Sequence, residues 1–128
     1  MIEGVSAIII EDDQLSVEVL QSLLEQSSVI STIISSNVLE HLHSIPIPHI
    51  IFLDLEMPHK SGYEVIEYLQ SDPDLANVPV VAYTTHTSHM NEAREAGFHS
   101  FLGKPLKRQH FPKQLQRILS GEPVWEVS

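Results

Sequence analysis

Four short apolar runs divide the chain, and each ends abruptly in polar or charged residues. Ala7-Ile8-Ile9-Ile10 runs into Glu11-Asp12-Asp13, and His49-Ile50-Ile51-Phe52-Leu53 runs into Asp54. Val80-Val81-Ala82-Tyr83 runs into Thr84-Thr85, and Ser100-Phe101-Leu102-Gly103 into Lys104-Pro105. Runs this short, rich in β-branched and aromatic residues and not alternating with polar ones, predict strands covered on both faces. Val29–Ile34 predicts a further strand, and the strand near His99–Leu102 is the last of five.

Helical periodicity fills the intervals. After Asp13, a candidate N-cap, the positions Leu15, Val19, Leu20, Leu23 and Leu24 are expected on one helix face. Ser36 or Asn37 opens a short helix carrying Val38, Leu39 and Leu42, and Ile45-Pro46-Ile47-Pro48 is a stiff extended connector. A third helix runs through Tyr63, Val65, Ile66 and Leu69 to the stop at Ser71-Asp72-Pro73. A fourth spans about Ser88–Ala96, with Gly97 as its left-handed C′ residue. The last places Phe111, Leu115, Ile118 and Leu119 together, with Pro112 in its first turn, and Gly121 and Pro123 close it. Five strands alternating with helices predict an α/β fold, a parallel sheet with helices on both faces, because right-handed crossovers put them there.

Length and composition narrow the function classes. A chain of 128 residues suits one domain and is too short for two. With no cysteine, thiol catalysis, disulfides and thiolate zinc sites are excluded. No apolar run approaches the ~20 residues of a membrane span, and no secretory signal pattern opens the chain, so a cytoplasmic location is expected. The net charge of −10 is unevenly placed. Residues 1–59 hold no Lys or Arg, whereas Lys104, Lys107, Arg108, Lys113 and Arg117 cluster between Ala96 and Gly121 without an acid. That stretch reads either as a solvated helix face or as a partner-docking face. Nucleic acid is a poor partner, because the summed charge repels phosphates. Of the eight histidines, His41/His43 and His86/His89 have the spacing of neither a helical ligand pair with a fixed third ligand nor a zinc motif.

The chemistry lies at the strand ends, where open α/β sheets keep their ligands. Acids, a hydroxyl and a lysine delivered there make a site for a divalent cation and a phosphoryl group. Here the chain resembles the receiver domain of two-component response regulators over about residues 5 to 120. The residues that carry the resemblance are Ile8-Ile9-Ile10-Glu11-Asp12, Leu53-Asp54-Leu55-Glu56-Met57-Pro58 with Gly62, Thr84, Ala96-Gly97 and Lys104-Pro105. Asp12, Asp54, Thr84 and Lys104 follow one another at intervals of 42, 30 and 20 residues. Each feature alone is weak, and together they are specific.

The resemblance implies a flavodoxin-like, doubly wound (βα)5 fold and a role for each residue. Asp54 is the implied phosphoryl acceptor, a carboxylate forming an acyl phosphate. Mg²⁺ is the implied cofactor, held by Asp12, by Glu11 through water, by Asp54 and by the backbone carbonyl of Glu56. Asp13 competes with this pair as a ligand, though strand phase makes it a helix cap. Lys104 and Thr84 are implied to neutralise and hydrogen-bond phosphoryl oxygens. Pro105 matches a cis peptide that aims Lys104 inward, and Phe101 matches a switch aromatic that turns inward as Thr84 moves. Thr85 departs from the small residue usual at its place and would narrow access to Asp54. Glu56 and His86 occupy variable positions that tune the lifetime of the phosphoryl group.

The reading is a single-domain response regulator, with residues 1–121 as receiver and 122–128 as a short tail without an output domain. It would take a phosphoryl group from a histidine kinase or histidine phosphotransfer protein and switch a protein-binding surface, catalysing only its own phosphorylation and slow dephosphorylation. The surface expected to bind a downstream protein or a second copy is the fourth helix, fifth strand and fifth helix. Within the tail, Val124-Trp125 either folds back on the domain or makes a contact site beside the basic helix. Two rivals remain. A haloacid-dehalogenase-type phosphatase would have Asp-x-Asp after its first strand, whereas here the acceptor follows the third and Glu56 replaces the second Asp. A receiver-like scaffold without phosphate chemistry has no physical need of Glu11, Asp12, Asp54, Thr84 and Lys104 together.

Overall fold

The computed structural model describes residues 4–57 and 61–127, so Pro58 of the strand-three motif lies outside the described residues. The elements are β1 (Ser6–Ile10), α1 (Gln14–Gln26), β2 (Ile30–Ile34), α2 (Val38–Leu42), β3 (Ile50–Asp54) and α3 (Gly62–Ser71). There follow β4 (Val80–Thr84), a 3₁₀ turn (Thr87–His89), α4 (Met90–Ala96), β5 (Ser100–Gly103), α5 (Phe111–Leu119) and β6 (Trp125–Glu126). All neighbouring strands pair in parallel, in the order β2-β1-β3-β4-β5-β6. The order reverses between β1 and β3, which opens a crevice at their carboxyl ends.

The continuous apolar runs divide by strand alternation into two cores. Ile8, Ile10, Ile51, Leu53, Val80, Ala82 and Phe101 face one way, against Val38, Leu42, Val65, Ile66, Leu69 and Ala93 of α2, α3 and α4. Ala7, Ile9, Ile50, Phe52, Val81, Tyr83 and Leu102 face the other, against Leu20, Leu24, Phe111, Leu115 and Ile118 of α1 and α5. Each fully buried aliphatic side chain contributes about 1.5–3 kcal/mol. Both cores are therefore needed, and neither face of β1, β3 or β4 can tolerate a polar residue away from the strand ends.

Several expectations are borne out in detail. Asp13 caps α1, its carboxylate accepting from the Ser16 amide at 3.0 Å and the Ser16 hydroxyl at 2.7 Å. Gly97 ends α4 with φ +97°, and Pro112 lies in the first turn of α5. The Lys104–Pro105 peptide is cis. A Cβ on Gly62 would lie 2.8 Å from the Asp54 carbonyl oxygen, so only glycine lets α3 start this close to the end of β3.

Three expectations are corrected. The buried stripe of α1 is Val17, Leu20, Leu23 and Leu24, whereas Leu15 and Val19 are 68% and 40% exposed. At about 100° per residue, Leu15 and Val19 fall on the flank of that stripe rather than at its centre. The fourth helical segment begins with a 3₁₀ turn rather than as one α-helix. Among the described residues the sheet has six strands instead of five: residues 125–126 pair with β5 in the register Phe101↔Trp125 and Leu102↔Glu126. A two-residue strand is too short to show a periodic pattern, which is why the sequence did not reveal it.

Candidate active site

β1, β3, β4 and β5 each deliver a polar side chain to the same end of the sheet. Glu11 follows β1 and is fully buried, Asp54 ends β3 with 6% of its surface exposed, and Thr84 ends β4, also buried. Asp12 is exposed beside them. One carboxylate oxygen from each of Glu11, Asp12 and Asp54 lies within 4.8 Å of the other two. The predicted acid cluster is thus assembled, and Asp13 points instead into the cap of α1.

Lys104 Nζ reaches back over the cluster. It donates to Glu11 Oε1 at 2.6 Å and to Ser16 Oγ at 3.1 Å, and lies 3.9 Å from Asp54 Oδ1. It also sits 4.5 Å from the centre of the Tyr83 ring, a cation–π contact. Ser16 and Tyr83 are site residues that sequence reading missed. Tyr83 pairs with Asp54 in the β3–β4 register, and strand alternation puts it on the same face as Phe52. Its place at the end of the Val80-Val81-Ala82-Tyr83 run was the one signal in the sequence. Ser16 carried none beyond its place in the first turn of α1.

The two buried acids respond oppositely to their surroundings. Burial pushes the Asp54 carboxyl up to about 7, helped by hydrogen bonding to Glu11 and by Glu11's charge. The Lys104 charge and the Glu56 amide, which donates to Asp54 Oδ1 at 3.2 Å, pull the other way and do not offset it. For Glu11, burial also opposes ionisation, but hydrogen bonds from Asp54, Lys104 and the Asp13 amide outweigh it and hold the carboxyl below its ordinary range. Two acids this close cannot both ionise cheaply, and without a cation Glu11 carries the charge while Asp54 tends to keep a proton. Burial, then Glu11, also pushes the Tyr83 phenol far up, so its hydroxyl stays protonated.

This donor set fits a magnesium ion. It is all oxygen, offers carboxylates from two strand ends, and leaves the exposed side of Asp12 open to water. A cation there would also oppose the burial and the Glu11 charge that together push the Asp54 carboxyl up. The Glu56 side chain turns away from the cluster, its Oε2 lying 3.0 Å from His86 Nε2, and His86 stacks on His89 at 5.7 Å. Thr84 Oγ1 accepts from the His86 amide at 3.1 Å, and its carbonyl accepts from the Lys104 amide at 2.8 Å. Thr85 is exposed and lines a groove with Leu15, Val19, Lys104 and Leu106. Phe101 is fully buried and packs on Trp125, with ring centres 6.3 Å apart and planes 13° from parallel.

Residues 7–116 match the family model of the response regulator receiver domain, and the chain belongs to that family. It is 31% identical over 121 residues to the polar-differentiation response regulator DivK of Brucella anthropi, covering 89% of this chain and 95% of that protein. The DivK protein of Brucella ovis is 30% identical over 118 residues, with the same coverage. Among solved structures, a putative response regulator from Chloroflexus aurantiacus superposes with a TM-score of 0.84 at 21% identity, over 92% of this chain and 99% of that one. The receiver domain of a sensor histidine kinase from Pseudomonas aeruginosa was solved with a magnesium ion in its active-site cleft. It superposes with a TM-score of 0.79 at 22% identity, over 91% of this chain and 98% of that one. The chain is a two-component response regulator receiver domain similar over most of its length to DivK, and its family is that of a signalling switch.

Proposed function

We propose that Asp54 accepts a phosphoryl group from a histidine kinase or histidine phosphotransfer protein, and that the resulting acyl phosphate switches a protein-binding surface. The observation that supports this most is the cluster of Glu11, Asp12 and Asp54 with Lys104 Nζ 3.9 Å from the acceptor oxygen. In the transfer, an Asp54 carboxylate oxygen forms the new O–P bond as the N–P bond to the donor imidazole breaks. Asp12, Asp54, the Glu56 carbonyl and, through water, Glu11 would hold Mg²⁺, which when bound would neutralise charge on the phosphoryl oxygens. Lys104 exchanges its contact with Glu11 for one with the phosphoryl group, and the Thr84 hydroxyl turns from the His86 amide to donate to another oxygen. Loss of the group is slow hydrolysis at the same centre, which Thr85, Glu56 and His86 flank.

The exposed Leu15 and Val19, beside Leu106 and next to the cleft, offer an apolar rim on which a donor protein can seat. Output is read at the face of α4, β5 and α5, by a downstream protein or a second copy, with Phe101 as the aromatic that follows Thr84. Residues 1–121 form the receiver and 122–128 its tail. We place the protein in the cytoplasm, where such donors work; among the described residues no helix is long and apolar enough to cross a membrane. Incubation with Mg²⁺ and acetyl phosphate is expected to add one phosphoryl mass at Asp54, and Asp54→Asn to block it. Label on a serine, a threonine or another acid in the wild type would overturn the assignment.

A further inference from the structure

The tail occupies the very face expected to signal. Its backbone joins the sheet: the Phe101 amide donates to the Val124 carbonyl at 2.8 Å, and the Val124 amide to Ser100 Oγ at 3.0 Å. Its side chains are held on both faces. On the α4 side, Trp125 stacks on Phe101 and lies under the Arg94 guanidinium, whose carbon is 4.6 Å from the ring centre. On the α5 side, Glu126 accepts from Gln114 Nε2 at 2.7 Å and from Arg117 Nη1 at 3.2 Å. Arg117 also binds Glu122 at 2.5 Å, so part of the basic stretch serves the tail.

The strand runs toward the acid cleft. A Cβ at Gly103 would collide with the Val127 carbonyl and crowd Thr87, so the tail backbone fills the space this glycine leaves. Gly103 precedes Lys104, whose amide is tied on the opposite side to the Thr84 carbonyl at 2.8 Å. The end of β5 that carries Lys104 is therefore gripped between β4 and the tail. Trp125 also covers the outer face of Phe101, closing its way out of the core.

We propose that residues 124–127 are a strap docked in cis that positions the Lys104 end of β5 and keeps Phe101 inside, so that tail docking and phosphoryl occupancy of Asp54 favour one another. This rests on the phosphoacceptor reading of Asp54. A docked tail removes freedom that Lys104 must otherwise lose when it binds the phosphoryl group. By reciprocity an occupied site holds the tail more tightly. Trp125 is thus a positioning residue, acting on the site through Phe101 and β5, and a partner that reads the α4–β5–α5 face meets the tail as part of it.

The test uses the full chain with Mg²⁺ and beryllium fluoride as the phosphoryl mimic, and fluorine NMR counts the bound fluoride independently. Trp125 is the only tryptophan, so acrylamide quenching reports the tail alone. Loading is expected to lower the quenching constant. Trp125→Ala and Arg94→Gln are each expected to weaken loading by about fivefold or more, the low end of ordinary site-to-site coupling, with Trp125→Phe restoring most of it. Arg94→Gln leaves the core untouched and keeps the test valid if Trp125→Ala folds poorly. Loaded protein with an unchanged or raised quenching constant overturns the strap, as do wild-type loading affinities in the folded variants. Failure of the wild type to bind the mimic would instead overturn the reading of Asp54.

Discussion

The acid cleft and the β5 edge are both built at strand termini, yet they are held in opposite ways. In the cleft, burial and the Glu11 charge push the Asp54 carboxyl up, and Lys104, which donates to Glu11 at 2.6 Å, offsets this only in part. At the edge the charges that hold the tail are matched: Glu126 with Arg117 and Gln114, Arg117 with Glu122, and Arg94 with the Trp125 ring. A site proposed to bind a dianionic group and a metal cannot be satisfied in advance. A docking contact that only needs to persist can be. The cleft accordingly stores unfavourable electrostatics for use on binding, and the edge stores favourable packing.

The largest expected contrast is at Lys104. Lys104→Ala should leave some loading from acetyl phosphate, measured by intact mass, while removing most of the response of Trp125 quenching to beryllium fluoride. A variant that loads and still shields Trp125 as the wild type does would demote Lys104 to a cleft-lining residue. Gly103→Ala attacks the same strand end from the other side. It should unseat the tail and cost roughly 1–3 kcal/mol, as overpacking against backbone does. Its thermal unfolding would show this, and wild-type stability with an unaltered Trp125 emission would place the tail elsewhere.

Mg²⁺ should separate the regions by linkage. At about ten times its Kd, a ligand that binds only the folded form adds about 1.4 kcal/mol, a rise in Tm of a few degrees. Asp12→Ala should abolish that rise, and edge variants should retain part of it. An undiminished rise in Asp12→Ala would point to Asp13 or another site.

The pH dependence follows from Asp54, whose folded pKa of about 7 lies above its unfolded value near 3.8. The folded state therefore binds more protons than the unfolded one between these values, and metal-free stability falls as pH rises through that window. Glu11, with its lowered pKa, contributes stability that is present above its unfolded value and lost only in acid. Melting temperatures of wild type and Asp54→Asn should therefore draw together as pH falls towards about 4 and separate by pH 8, with Asp54→Asn the more stable. Parallel curves would show that Asp54 ionises freely. The smallest effect is expected at Thr85: Thr85→Ala should speed loading from acetyl phosphate and loss of the group by a few-fold, by opening the groove beside Lys104. Rates at or below wild type would show that the exposed Thr85 side chain leaves access unaffected.

What the sequence by itself determined is whatever a residue's own type and its neighbours in the chain dictate. Unbroken apolar runs such as Ile50–Leu53 are strands buried on both faces. The polar residue ending each run must then sit at the sheet's edge, so Glu11, Asp54, Thr84 and Lys104 were legible together. Asp13 as a cap and Gly97 as a helix stop were legible for the same local reason. Only the tertiary structure decided what depends on distance through space. Whether Leu15 or Val17 faces the core turns on how α1 lies against the sheet. That Ser16 flanks Lys104 depends on α1 meeting the end of β5 from 88 residues away in the chain, and the Tyr83 contact depends on β4 and β5 lying side by side. Trp125 and Glu126 have no strand pattern of their own. They become a strand because β5 offers an unpaired edge and because Phe101, Arg94, Gln114 and Arg117 are already in place to receive them.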